Sequence, residues 1–264
     1  MYAWRSRDAR AAEERREEST AEVKAIHARA KARYGSPRIH AGLAAEGHAC
    51  RANFVAQVVR EAGIAAKARR KCRQTPDSNR GRPVAENILG RDFDPAGPNA
   101  SWCADIAYIP TREGWRYRAA VEDPFGRRIV GGSMDATTTS RLAADARGVA
   151  RVGRLKGSSP SALVAHADRG SRYASEHYRR RLREERIACR TSRRGGGGDN
   201  AARGSVFARL KKEPVRDEDD ATRDEAKASI FEYIEAFDNR VRRHASLGYV
   251  APDEYERTHN PTHR

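Results

Sequence analysis

The sequence predicts an α/β protein. Its mixed sheet, a three-strand antiparallel meander plus parallel strands, is flanked by helices and preceded by an all-α region with a helix-turn-helix. Three observations predict it. Apolar residues recur at helical intervals up to about residue 62, the pattern shifts from Trp102 to short strand-like runs separated by Gly or Pro turns, and strands then alternate with helical stretches.

Residues 1–18 mix both charge signs with almost nothing apolar after Trp4 and read as a solvated helical lead-in or frayed tail. Ser19 and Glu22 have capping-box spacing, and Val23, Ile26, Ala30 and Tyr34 follow at helical intervals before Gly35. Ser36-Pro37 suits an N-cap and first helical position, with Ile39 and Leu43 as the stripe of a short second helix that ends at Gly47. A third helix, about 52–62, turns Val55, Val58 and Val59 inward and stops at Gly63. WCADIAYIP (102–110), WRYRAAVED (115–123) and RRIVGGSMD (127–135) form the meander. A helix at about 138–152, a strand at 162–166, a helix near 172–185, a strand at 187–191 and a helix at about 200–213 follow. Asp217 to Asp220 mark an acidic loop. Ile230, Ile234, Phe237 and Val241 then make a last amphipathic helix that runs into Arg240, Arg242, Arg243 and His244. Trp102 and Trp115 read as core. The expected domains are 1–66, helical with the helix-turn-helix; 67–98, a basic linker; 99–220, the sheet-containing core; and 221–264, a C-terminal helix and tail.

Composition narrows the function. The 264 residues carry 52 Lys+Arg against 36 Asp+Glu, a net charge of +16, which fits a polyanionic partner. Only 38% are hydrophobic, so the core is lean. No apolar run approaches the ~20 residues of a membrane span, and the N-terminus has charges where a signal peptide is apolar. Cys50, Cys72, Cys103 and Cys189 have no metal-knuckle spacing and read as free thiols of a reducing compartment, the cytoplasm.

Lys67, Arg69, Arg70, Lys71 and Arg73 open a stretch too polar to fold alone. It is either a solvated linker or one that also tracks a phosphate backbone. Arg51, Asn53, Gln57 and Arg60, on or beside the third helix, are placed to reach a DNA groove or to remain solvated surface. Asp105 lies inside the first strand between apolar neighbours, costly to bury unless paired or bound to a cation. Asp168 directly follows the fourth strand, at the end where such sheets present their sites. Each aspartate alone is more often a cap or an ion-pair partner. Together, at the ends of neighbouring strands, they can share divalent metal for phosphoryl transfer. Arg169 and Arg172 could contact the scissile strand or neutralise these acids.

Ordered segments carry a family resemblance. These are Tyr34 to His40, Asp105 to Thr111, Asp123 to Gly131, His166 to Ser175, Asp199-Asn200-Ala201, Leu210 to Glu213, and Asn239 to Tyr249. Over nearly its full length the chain resembles the second-frame (OrfB) transposases of the insertion sequence three (IS-three) family. The resemblance implies a retroviral-integrase-like core of ribonuclease-H-like fold and a DDE reaction with Mg²⁺ or Mn²⁺, two ions in an active member. It also implies double-stranded DNA as partner, a homo-oligomer on DNA, a first-frame (OrfA) protein or fusion, and a bacterial, nucleoid-associated cytoplasmic location. Asp105 and Asp168 match the first and second catalytic acids.

Where the family has its third acid, a Glu with 35 residues between it and the second Asp, this chain has Gly204. Glu213 is badly placed to substitute, nine residues on and ~13 Å along a helix, and Asp199 suits a cap. Arg116, Arg118 and Glu122 replace apolar residues on one strand face, which is either covered by a helix, burying charge, or open at an edge. Gly126, Gly132 and Gly195 to Gly198 remove side chains or add backbone freedom. The expectation is an inactivated copy; the alternative is a non-catalytic DNA-binding protein that occupies element ends.

Overall fold

The computed structural model describes residues 3–66, 95–156, 163–167, 172–191 and 222–260. It divides into two compact units, 1–73 and 74–264. The expected linker cations at 67–73, the helix at 200–213, the glycines at 195–198, Asp199, Glu213 and the acidic loop at 217–220 lie outside the described residues.

The first unit contains α1 (Ala3–Arg29), α2 (Ser36–Ala45) and α3 (Ala52–Glu61). Val23, Ile26, Ala30, Tyr34, Ile39, Leu43, Val55 and Val58 are buried in it, as the helical spacing predicts. Val59 is only half-buried. Ser19 caps nothing: α1 runs through it from Ala3, and a charged N-terminal half, exposed at Arg10 and from Glu13 to Glu18, simply extends the helix. The N-cap of α2 is Gly35, one residue earlier than expected, with Pro37 in the first turn, where its missing N–H has no helical partner to lose. Gly47 and Gly63, both at positive φ, follow α2 and α3.

In the second unit β1 (Ser101–Thr111), β2 (Gly114–Asp123) and β3 (Arg128–Asp135) form the meander, followed by α4 (Ser140–Leu155), β4 (Val164–Ala167), α5 (Glu176–Glu184) and β5 (Ala188–Thr191). The five-stranded order is β3-β2-β1-β4-β5, with β4 parallel to both β1 and β5. One face packs against α4 and α5 through Trp102, Ile106, Ala119, Val121, Leu142, Ala146, Ala150, Tyr178 and Leu182. Gly131 permits that packing, since a β-carbon there would collide with the Ala146 carbonyl and stand 2.7 Å from Ala150. Trp115 is not core. It pairs with Pro110 at the hairpin end and is 55% exposed.

The other strand face is covered. After Thr222 caps α6 (Arg223–Glu232) with a capping box, a π-helical turn (Tyr233–Asp238) follows, then a 3-10 turn (Ala245–Leu247) and α7 (Pro252–His259). Arg118 and Glu122 are therefore buried, which settles the alternative of an open edge. Burial lowers the Arg118 pKa to about 10, while Asp238 and Glu235 oppose the shift, so the guanidinium stays charged beside two acids. The π-turn also moves Val241 out of the predicted stripe. With backbone bonds from Asn239 to Ile234 and from Arg242 to Phe237, each spanning five residues, Arg242 turns inward and Val241 is 50% exposed.

Two anchors fix this C-terminal segment. The Asn239 side chain accepts from the Ile129 N–H (2.9 Å) and donates to the Ile129 carbonyl (3.0 Å), supplying edge strand β3 with a partner. Arg154, at the end of α4, binds Glu256 through both terminal nitrogens (2.7 and 2.9 Å) and reaches Asp123 (3.4 Å). Burial pushes the Asp123 carboxyl up to about 6, against the pull of the Asn99 and Phe125 N–H groups and Arg154. Glu256 packs where a Gly126 side chain would stand, 2.6 Å from its β-carbon position.

Candidate functional site

β1 is the central strand, antiparallel to β2 on one side and parallel to β4 on the other. Asp105 lies at its middle, opposite Ala120. Asp105 is half-buried, and one carboxylate oxygen accepts from the Ile106 N–H at 2.8 Å. β1 and β4 pair from Ser101↔Val164 to Ala104↔Ala167. The next residue on β1 is Asp105 and the next after β4 is Asp168. Asp168, Arg169 and Gly204 lie outside the described residues. Among the described residues no group of three or more His, Cys, Asp or Glu could hold a metal ion. Asp105 by itself offers hard oxygen donors of the type that suits Mg²⁺ or Mn²⁺.

Arg172 is engaged in the fold: it donates to the Thr138 carbonyl (3.2 Å) and hydroxyl (2.7 Å), tying the segment before α5 to the start of α4. A row beneath Asp105 is not anticipated by the sequence reading. Glu122 on β2, Cys103 on β1 and His166 on β4 stand side by side in register, all buried, on the same strand face as Asp105. Strand alternation carries the signal, but only the register aligns the three.

In the first unit Asn53, Gln57 and Arg60 share the exposed face of α3, with Arg51 exposed at its N-cap. Gln57 donates to Glu61 at 2.8 Å, and Glu61 also pairs with Arg16 of α1, which holds the Glu61 carboxyl below its usual range. Asn53 and Arg60 flank this tethered pair.

Comparison with known proteins supplies the family. A model described as an HTH-like domain matches residues 14–71, and two described as integrase core domain match 95–196 and 204–259. Transposase InsF for insertion sequence IS3A, from Escherichia coli, is 37% identical over 257 residues, covering 97% of this chain and 88% of that protein. The chain belongs to the IS3 family of insertion-sequence transposases. A second relative, the insertion element IS600 uncharacterized 31 kDa protein of Shigella sonnei, is 36% identical over 88% of this chain and 84% of its own length. Likeness to solved structures is lower. A chain of the simian T-cell lymphotropic virus intasome has 14% identity and a TM-score of 0.46, covering 89% of this chain and 74% of that one. The HTLV-2 integrase catalytic core domain in complex with magnesium has 15% identity and a TM-score of 0.44, covering 61% and 97%. The first integrase core match of this IS3-family chain contains Asp105 and Asp168, and the second opens at Gly204. No described helix is long and apolar enough to cross a membrane.

Proposed function

We propose that this chain descends from DDE transposases that cut and join insertion-sequence DNA, and that Gly204 has impaired its catalysis. The reading is carried by the β1–β4 register, which ends at Ala104↔Ala167 one residue before each aspartate. Asp105 and Asp168, the residues that follow that last pair in the chain, would hold the divalent cation. Bound there, Mg²⁺ or Mn²⁺ supplies Lewis-acid activation of the phosphodiester and of the attacking oxygen. In an active member water attacks the phosphodiester at the element end and frees its 3′-hydroxyl, which then attacks a second phosphodiester and displaces the 3′-oxygen of the target strand. Glycine at 204 would deny such a cation the third carboxylate that the family supplies there.

Duplex DNA of the element ends and of the target is the proposed partner, held by Arg51, Asn53, Gln57 and Arg60 on the α3 face and by Lys67, Arg69, Arg70, Lys71 and Arg73. Arg169, beside Asp168, is proposed on the scissile strand; Arg172 acts through Thr138. Self-association on DNA, a first-frame partner and residence at the nucleoid belong to the same reading, as do domain limits at 66, 98 and 220. A second reading, a non-catalytic DNA-binding protein, is favoured by one observation. Two of the positions that depart from the family are packed: Arg118 lies beside Gly132, and Glu256 beside Gly126.

One experiment separates the two. The full chain and Gly204→Glu are assayed with terminal-repeat duplexes and Mg²⁺ or Mn²⁺ for 3′-end cleavage and strand transfer. Cleavage by Gly204→Glu that disappears on adding Asp105→Asn, beside an inactive parent, supports inactivation of a DDE site. Equal activity of parent and variant overturns the inactivation, and failure of both to bind duplex overturns the DNA reading.

A further inference from the structure

The outer face of α4 has no partner among the described residues. Arg141, Asp145, Gly148, Val149, Val152 and Gly153 follow one another at helical spacing along it, and Lys156 is the C-cap just past its end, in the left-handed conformation. Val149 is 54% and Val152 75% exposed, unusual for two apolar side chains one turn apart in a chain with few to spare. A β-carbon on Gly148 or Gly153 would meet nothing within 4 Å, so a second helix can approach closely. The stripe forms one wall of a groove of about 1010 Å³ between α4 and α5, with His177, Arg181 and Glu185 on the other wall.

The stripe is its own complement. Turned antiparallel about a two-fold axis between Ala150 and Arg151, it sets Val149 against Val152 and Gly148 against Gly153, and brings Asp145 toward the C-cap residue Lys156 of the other copy, each pairing occurring twice. Among the described residues Asp145 is held by Arg141 at 3.6 Å, a surface i,i+4 pair with both side chains more than half exposed, and such pairs contribute little. That carboxylate is available to a cation on another molecule. We propose that α4 is the self-association surface of this protein, packing antiparallel against α4 of a second copy. The proposal rests on the self-association in the functional reading above and names its surface. A single helix stripe falls short of the ~800 Å² per partner of a standard interface, so the other wall of the α4–α5 groove supplies the remainder. The net charge of +16 makes each copy repel the next, so apolar packing at Val149 and Val152 must carry the affinity and added salt must strengthen it.

Analytical ultracentrifugation of the full chain without DNA tests this. The expected result is a monomer–dimer equilibrium that tightens with salt, weakened about thirtyfold or more by Val149→Glu. Asp145→Lys sets lysine against Lys156 and weakens dimerisation at least tenfold, Lys156→Asp does likewise, and the double exchange Asp145→Lys/Lys156→Asp restores it. The substituted side chains lie on the solvent side of α4, so circular dichroism is expected to match the parent's. A parent that stays monomeric at every concentration overturns self-association itself. A dimer indifferent to Val149→Glu, or a double exchange that fails to rescue, overturns the α4 surface while leaving self-association standing. Failure of Val149→Glu to bind DNA, with dimerisation unchanged, would overturn it too and reassign the stripe to nucleic acid.

Discussion

The guanidinium of Arg118 lies beside Gly132: a β-carbon on Gly132 would stand 3.3 Å from the Arg118 Nη2. The two residues sit on adjacent strands, with Gly132 opposite Ala120 and Arg118 one diagonal step away, on the face covered by the C-terminal segment. A large side chain at 132 and a long cation at 118 are alternatives for one volume. Gly132→Trp alone should lower stability by about 1–3 kcal/mol through overpacking. Arg118→Leu alone should also destabilise, because it leaves Asp238 with less positive charge nearby in a buried setting. The pair Gly132→Trp/Arg118→Leu should cost less than the sum. Urea denaturation of all four proteins measures the coupling, and strict additivity would refute the shared volume.

Glycines on the two sides of α4 should respond oppositely to alanine. Gly131→Ala drives a methyl into the Ala146 carbonyl and Ala150, so β3 and α4 must part, at a cost of about 2 kcal/mol or more. Gly148→Ala meets open space inside a helix and should gain up to about 1 kcal/mol. Thermal unfolding at low protein concentration distinguishes them. Equal effects would mean that α4 can move away from β3 at little cost.

Asp123 makes the core sensitive to pH in a defined direction. Its folded pKa of about 6 lies above the ordinary 3.8, so the folded state holds this proton more tightly. The stability linked to it is complete below about pH 4 and is lost as pH rises through 6. Between pH 5 and 7 the parent should lose about 1 kcal/mol that Asp123→Asn does not lose. Denaturant midpoints at the two pH values give the comparison. Parallel slopes in both proteins would remove the effect.

On the α3 face, Arg60→Ala and Asn53→Ala should differ in kind. If Arg60 binds a phosphate, its removal reduces the dependence of log affinity on log salt by about 0.9, uniformly across sequences. If Asn53 reads a base edge, its removal relaxes sequence preference and leaves that slope unchanged. Fluorescence anisotropy over a salt series, with matched and scrambled duplexes, reads both quantities. Identical behaviour of the two variants would take the α3 face out of sequence recognition.

The meander, the parallel β4, and the burial of Val23, Ile39, Val55 and Trp102 are legible in the sequence because alternation and helical spacing depend on local neighbours alone. Val241 defeats that spacing because one π-turn adds a residue to the repeat, and no rule for an α-helix anticipates it. Trp115 reads as core by residue type, while its position at a hairpin end decides its exposure. The burial of Arg118 becomes explicable only with its partners at 235 and 238 in view, more than a hundred residues on. Asp105 is legible as a charged interruption of an apolar strand. The Glu122–Cys103–His166 row beneath it is not, since three separate strands compose it.

The bond between Asn239 and Ile129 sets a condition on synthesis. Edge strand β3 leaves the ribosome 110 residues before the side chain that closes it. At ~5–20 residues per second, β3 has no Asn239 for about 5–20 s of every translation. A product that stops short of residue 239, through a premature stop or a shift of frame, keeps that edge permanently open and so invites aggregation and proteolysis. Quality control of the folded protein is thereby placed in its C-terminal segment, far in sequence from the residues that would touch DNA.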